Sequence, residues 1–364
     1  MGTTISTVDL EFILEKLAPE LSGLKNESVL LTGATGFFGK WLTQTIIAAQ
    51  DKWHLNNSFY ILTRNRDRVL SESPWLLERS DVHFLQQDIR TFESNNSFST
   101  IIHGAVSASK DLNDNQPLVM FDTIVEGTKR ILKLVERGSC KRLLFLSSGA
   151  VYGEQPPEIS NVDEHFRGRP DTLSKNSAYG EAKRVAEFLC AESAEKSACA
   201  LKIARCYAFV GPYLPLETHF AAGNFLNAIL RGKPIQINGD GTSLRSYLYC
   251  ADLTIWLFKI LFNGLPNVAY NVGSDQAVSI LQLAQLIHRV GCEFDPKRHH
   301  MKDPIIVAQR PSPDAKRQQY VPSIDRAKSQ LSLDVWTPLP LAIRKTLEWS
   351  DVMSANSTNG DSHG

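Results

Sequence analysis

The chain has 364 residues, 43% of them apolar and 21% charged, so it can bury one large core or two smaller ones. Its 39 basic and 39 acidic side chains cancel, which excludes nucleic-acid binding driven by bulk charge and leaves room for a local basic pocket around an anion. No apolar run reaches the ~18 residues of a membrane span, and Met1 to Leu10 includes Asp9 and lacks the basic start of a secretory signal.

Leu10, Ile13, Leu14 and Leu17 recur at helical spacing and predict a helix within Val8 to Leu24, in an extension covering 1–27. Ser28 to Thr32 reads as a first strand and Lys40 to Ala49 as a helix. Phe59 to Thr63, Val82 to Leu85 and Thr100 to His103 read as three more strands. A long helix follows at Leu118 to Glu136, then a strand at Arg142 to Ser147. A helix at Ala178 to Ala194 and a sixth strand at Leu201 to Ala204 complete the pattern. Strands alternating with helices predict an α/β fold, a doubly wound parallel sheet covered on both faces, over 28–207. After Gly211 the pattern is broken by Pro212, Pro215, Pro234 and the turn Gly239-Asp240-Gly241. Residues 208–350 are expected to form mainly a smaller, interleaved lobe, with some later segments returning to the sheet. His299 to Pro313 reads as a loop. The tail, 351–364, is expected to be disordered because Ser354 to Gly364 is small and polar. The cysteines, Cys140, Cys190, Cys199, Cys206, Cys250 and Cys292, form no CxxC pair and read as reduced thiols of a soluble, cytoplasmic protein.

The turn after the first strand is Thr32-Gly33-Ala34-Thr35-Gly36-Phe37-Phe38-Gly39. A strand, a glycine turn and a helix form the context in which such a turn holds phosphate. Gly33 and Gly36 would let the backbone approach a pyrophosphate, and Gly39 would let the helix pack on the strand. The helix N-terminus favours the negative charge. Thr35, Phe37 and Phe38 belong to the same expected cofactor site. The spacing is GxxGxxG, and alone it is also compatible with a turn that merely packs. The second strand ends in Thr63-Arg64-Asn65-Arg66, without the carboxylate that holds the ribose 2′-hydroxyl of NAD. Arg64 and Arg66 suit a 2′-phosphate, so NADP is expected and NAD remains possible; a solvated basic loop is the alternative. Asp88, followed by Ile89, is placed to meet the adenine.

Tyr179-Gly180-Glu181-Ala182-Lys183 sets a phenol and an ammonium one helical turn apart. A free phenol, pKa ~10, is a poor base at neutral pH. A nearby ammonium and an oxidised nicotinamide both favour phenolate, which could take a proton from a sugar hydroxyl as hydride leaves the same carbon. Ser148 leaves the fifth strand at its C-terminal end, where ligands bind in such sheets. It lies in no GxSxG elbow, so it is not read as a hydrolase nucleophile. No metal site is expected.

These residues resemble the extended short-chain dehydrogenases/reductases, in particular the nucleotide-sugar epimerase/dehydratase group, from about Val29 to Trp349. Gly33, Gly36 and Gly39 match its TGxxGxxG, and Ser148, Tyr179 and Lys183 match its triad. Ile102-His103-Gly104-Ala105 is similar to its fourth-strand signature. The resemblance implies a Rossmann-like fold and a nucleotide-diphosphate sugar as substrate. It also implies a homodimer through the helices Leu118 to Glu136 and Ala178 to Ala194. Ala105 then borders the cofactor and Ser107 the substrate. Gly239-Asp240-Gly241 with Arg245 and Asp252 resembles the family's GDGxxxRxxxxxxD run, and implies that Arg245 grips the diphosphate. Gln309-Arg310-Pro311-Ser312-Pro313-Asp314 resembles its Arg-Pro-Gly-Asp element, and implies a second grip by Arg310. Asn224 stands where an amide often joins them, or it caps a helix.

Several positions depart from the family. The 4,6-dehydratases carry Asp and Glu after the triad Ser/Thr, where Gly149 and Ala150 stand here, and sugar-acid decarboxylases usually carry a Glu at the position of Ala150. Elimination and decarboxylation are therefore disfavoured, and 4-epimerase or 4-ketoreductase chemistry is expected. Ala208 replaces a frequent Asn, and Ile124 replaces the Asn of the NVxGT helix, leaving Gly127-Thr128. His219 and Cys206 are candidates for an added acid, with ordinary loop and core roles the favoured alternative. Two other readings stay open: an NADPH-dependent reductase of a non-nucleotide ketone or thioester, and a silent module that senses the dinucleotide.

Overall fold

A computed structural model describes residues 4–104, 114–217, 220–296, 303–310 and 317–360. The first half alternates β1 (Ser28–Thr32), α2 (Phe37–Trp53), β2 (Ser58–Thr63), α3 (Arg66–Glu72), β3 (Val82–Gln86), β4 (Thr100–His103), α4 (Pro117–Val135), β5 (Arg142–Ser148), α5 (Ala178–Lys196) and β6 (Ala200–Cys206), preceded by α1 (Thr7–Ser22). The second half holds β7 (Phe209–Val210), α6 (Ala221–Leu230), β8 (Ile235–Ile237), β9 (Leu244–Arg245), β10 (Leu248–Tyr249), α7 (Cys250–Asn263), β11 (Ala269–Val272), β12 (Val278–Ser279), α8 (Ile280–Phe294), β13 (Ile305–Val307), β14 (Gln319–Tyr320), α9 (Asp325–Leu331) and α10 (Leu339–Gly360).

Seven strands form one parallel sheet in the order β11-β6-β5-β4-β1-β2-β3. The chain builds outward from β1 to β3 and then returns to place β4 on the other side of β1. That reversal opens a crevice beyond the C-terminal ends of β1 and β4, where such sheets bind ligands.

Side-chain alternation along the strands assigns each face its helices. Leu30, Leu62, Ile101, Leu143, Phe145, Leu201 and Ile203 pack with Met120 and Ile131 of α4 and with Ala182 and Ala186 of α5. Leu31, Ile61, Ile102, Leu144 and Leu146 belong to the other core, with Trp41 and Ile46 of α2 and with α7. Ile124, in place of the family's Asn, is a buried member of the first core.

The extension is integral to the fold. Ile13, Leu17 and Leu21 are fully buried, and the Asp9 carboxylate accepts from Lys345 Nζ at 2.6 Å and from the Tyr249 hydroxyl at 2.8 Å. α7 and β11 return to the sheet. Sequence periodicity passes over α7 because Leu253, Ile255, Trp256, Leu257 and Phe258 are buried on every side, leaving no polar face.

The structure corrects one expectation. Within the expected loop, Ile305–Val307 is a strand pairing in parallel with Ile235–Ile237, because its apolar residues lie beside an open edge. The last helix, α10, is anchored by buried Ile343 and Leu347. Among the described residues, no helix is long and apolar enough to cross a membrane.

Candidate active site

The glycine turn lies at the mouth of the crevice. Gly33 has φ +83°, a conformation that favours glycine. A Cβ on Gly39 would lie 2.1 Å from the Gly33 carbonyl oxygen and 2.5 Å from the Ala34 Cα, so only glycine lets α2 start this close to β1. Gly36 is the N-cap of α2 and supplies no side-chain cap. An uncapped helix end behind a glycine cradle fits a dinucleotide pyrophosphate. Thr35 is exposed there, and Phe38 meets Phe209 edge-on at 4.9 Å. On the β4 side, Thr32 Oγ1 lies 2.8 Å from His103 Nδ1 and accepts from the Gly104 amide at 3.1 Å. His103 Nε2 is 3.2 Å from Thr128 Oγ1. Burial, with the Lys183 charge adding to it, pushes His103 down to about 3, so it stays neutral.

Arg64 follows β2 and is exposed, whereas Arg66 lies 5.5 Å from the centre of the Phe84 ring. Asp88 caps the turn that begins at buried Ile89, and its carboxylate accepts from Arg90 Nη2 at 2.9 Å. The Arg90 hydrogen bond, with the Arg64 charge contributing, holds Asp88 below the usual carboxylate range. An adenine at Asp88 would therefore meet a carboxylate already engaged by Arg90.

Ser148 ends β5, and Tyr179 lies in the first turn of α5. Ser148 lies beside the Tyr179 hydroxyl and works against the upward push of burial on it. Gly180 permits this approach, since a Cβ there would lie 2.8 Å from the Ala150 carbonyl oxygen. Lys183 is buried beneath; its ammonium donates to the Leu146 carbonyl at 2.6 Å and lies 5.8 Å from the centre of the Tyr179 ring. The ammonium was expected to favour phenolate. Here burial prevails: it pushes Tyr179 up to about 12 and Lys183 down to about 8. Lys183 is not among the groups that shift Tyr179, and its ammonium is engaged by the Leu146 carbonyl. Burial also raises Cys206 to about 12, so its thiol stays protonated.

Two tyrosines that the sequence reading overlooked complete this corner. The Tyr320 hydroxyl lies 3.5 Å from Ser148 Oγ and 3.5 Å from the Cys206 carbonyl, and its ring stacks on Tyr207 at 4.5 Å. They fill the space beside Gly149: a Cβ there would lie 2.6 Å from Tyr207 Cζ and 2.8 Å from the Tyr320 hydroxyl. Tyr320 arrives on a two-residue strand, β14, whose register partner is Arg245 in β9. Strands this short leave no periodic signal.

That pairing brings Arg245 into the same corner, where burial lowers its pKa and Nη1 donates to the Leu244 carbonyl at 2.7 Å. The turn before it is held by Asp240, which accepts from the Thr242 amide at 2.9 Å. Asp252 stands apart from these groups. It is fully buried, accepts from the Thr337 amide and hydroxyl at 2.8 and 2.9 Å, and anchors the approach to α10. Arg310 is exposed, next to Gln309, whose amide donates to the Gly239 carbonyl at 3.4 Å. Asn224 is exposed within α6, whose N-cap is Phe220, so the capping alternative is incorrect. Ala105, Ser107, His219 and Pro311 to Asp314 lie outside the described residues. Among the described residues, no group of three or more His, Cys, Asp or Glu could hold a metal ion.

A sheet of this order with a glycine turn at its switch point defines a class, the Rossmann-type dinucleotide enzymes. The sequence model of the NAD dependent epimerase/dehydratase family matches residues 29–273, and the chain belongs to that family of enzymes. It is 27% identical over 336 residues to UDP-glucuronic acid decarboxylase 1 of Xenopus tropicalis, covering 90% of this chain and 73% of that protein. It is 26% identical over 318 residues to UDP-glucuronic acid decarboxylase 6 of Arabidopsis thaliana, covering 86% and 84%. The fold is similar to that of UDP-glucose 4-epimerase from Thermotoga maritima with UDP-glucose, at TM-score 0.74 and 20% identity over 90% of this chain and 99% of that one. It is also similar to dTDP-glucose 4,6-dehydratase from Bacillus anthracis in complex with NAD, at TM-score 0.72 and 17% identity over 90% and 97%.

Proposed function

We propose that this enzyme oxidises or reduces one carbon of a nucleotide-diphosphate sugar, as a 4-epimerase or a 4-ketoreductase. The observation that carries this reading is the corner at Gly149. Dehydratases of the resembled group carry carboxylates at the positions of Gly149 and Ala150, and decarboxylases usually carry one at the position of Ala150. Here the space beside Gly149 holds the Tyr207 ring and the Tyr320 hydroxyl, and Ala150 has no acidic group. What remains is Ser148 beside Tyr179, with buried Lys183 one helical turn on, which suits moving one proton at one carbon.

A bound dinucleotide would supply or accept the hydride. Gly33, Gly36, Gly39 and the start of α2 would hold its pyrophosphate, and Lys183 and Tyr179 would face its nicotinamide end. The exposed Arg64, with no carboxylate at the end of β2, favours NADP over NAD. Tyr179 takes the proton from the sugar hydroxyl in oxidation and returns it in reduction. Ser148 hydrogen-bonds the same oxygen. Arg245, half-buried, holds the diphosphate, and Arg310 at the rim adds a second positive charge. Leu118, Val119 and Phe188 expose apolar side chains on α4 and α5, which supports a homodimer through those helices.

The test is product analysis. The protein is incubated with UDP-glucose, UDP-galactose or UDP-glucuronate, with NAD or NADP, and products are identified by NMR and mass spectrometry. An epimer, or a product differing by two hydrogens, supports the reading. Loss of carbon dioxide from UDP-glucuronate contradicts it and returns this chain to the chemistry named for its decarboxylase relatives.

A further inference from the structure

Two cysteines that the proposed chemistry does not use are in contact at the opposite end of the sheet. Cys140 lies two residues before β5, Cys199 one residue before β6, and their Sγ atoms are 3.5 Å apart. β5 and β6 are parallel neighbours with Arg142 opposite Ala200, and the Ala200 amide donates to the Lys141 carbonyl at 2.9 Å. Both cysteines lie just before their strands begin, and their side chains meet there in an Sγ–Sγ contact close enough for a disulfide to form with a small adjustment.

The surroundings differentiate the two sulfurs. The hydrogen bond between them, with the charges of Lys202 and Arg142 adding to it, lowers Cys199. The same bond, together with burial, raises Cys140. Cys140 and Cys199 keep 5% and 6% exposure, whereas Cys190 and Cys250 keep none.

We propose that Cys140 and Cys199 form an oxidation site, closing to a disulfide when the chain meets a low-molecular-weight disulfide such as oxidised glutathione. The Cys199 thiolate attacks one sulfur of the small disulfide, forming a mixed disulfide and releasing one thiolate. Cys140 then loses its proton and attacks Cys199 Sγ, displacing the second thiolate. The chain gives up two protons and two electrons, and the small disulfide is reduced to two thiols. The closed loop runs from Cys140 to Cys199 and contains Ser148, Tyr179 and Lys183. The bond therefore fastens the base of the segment that carries all three, without entering the crevice. It acts chiefly on the unfolded chain, by shrinking its freedom.

The experiment uses the full chain equilibrated with either oxidised glutathione or dithiothreitol. Free thiols are alkylated in denaturant, and the digest is read by mass spectrometry without reduction. The expected result is a peptide pair joined through Cys140 and Cys199 after oxidation and absent after reduction. The oxidised form should also gain roughly 5 °C in Tm, and Cys140→Ser should abolish both changes. Full alkylation of both cysteines after oxidised glutathione, or a link to any other cysteine in their place, overturns the proposal. Neither outcome depends on the identity of the substrate.

Discussion

Replacing Lys183 with Met removes a buried charge and keeps most of the side chain's volume. Lys183 is 2% exposed, and Glu187, the carboxylate that influences it, is already paired with Arg205 at 2.6 Å. Burial lowers its pKa from 10.5 to about 8. Below pH 8 the lysine is charged in both the folded and the unfolded chain, and the folded state carries the full cost of burying that charge. Above pH 10.5 it is neutral in both, and the cost is gone. A displacement of that size corresponds to roughly 3 kcal/mol. Wild-type stability should therefore rise relative to Lys183→Met by about that amount between pH 8 and 10.5. The Leu146 carbonyl loses its donor in the variant, an offset of about 1–3 kcal/mol that does not change with pH. Urea unfolding of both proteins across this range measures the difference, and groups common to both cancel. Parallel stability curves would refute the reasoning, because they would mean that the ammonium is not desolvated in the fold.

Three further outcomes follow from named contacts. Gly39→Ala sets a methyl group against two backbone atoms of the cradle; it should cost roughly 3 kcal/mol or more and weaken dinucleotide binding, as read by urea unfolding and fluorescence titration. Gly149→Asp forces a side chain into the space of Tyr207 and Tyr320; it should cost about 1–3 kcal/mol and confer no 4,6-dehydration of a nucleotide sugar, so a functional dehydratase from this change would contradict the site. Arg245→Met should raise the KM for the sugar nucleotide by about 10–100-fold while leaving dinucleotide affinity unchanged, which separate titrations of the two ligands would show.

The dinucleotide half was legible because its signals are local. Gly33, Gly36 and Gly39 mark one turn, and the strands from β1 to β6 are apolar runs bounded by polar breaks. Ser148, Tyr179 and Lys183 follow from two elements that the sequence delimits well. The second half was less legible for physical reasons. α7 is buried all round and shows no amphipathic stripe, while β11 has only four residues. Tyr207 and Tyr320 escaped notice because their proximity to Ser148 depends on pairing between Arg245 and Tyr320, residues far apart in the chain. The geometry of Lys183 was equally hidden: spacing sets it beside Tyr179, but only the fold shows its ammonium turned to the Leu146 carbonyl.

In the proposed function Tyr179 carries the proton in a redox step on a nucleotide sugar. The most direct test compares the wild type with Tyr179→Phe, following reduced nicotinamide by its absorbance as UDP-sugars are added to protein loaded with NAD or NADP. The wild type should show a sugar-dependent change, and the variant should lose at least ~100-fold with dinucleotide affinity retained. An unchanged rate in Tyr179→Phe would contradict that role.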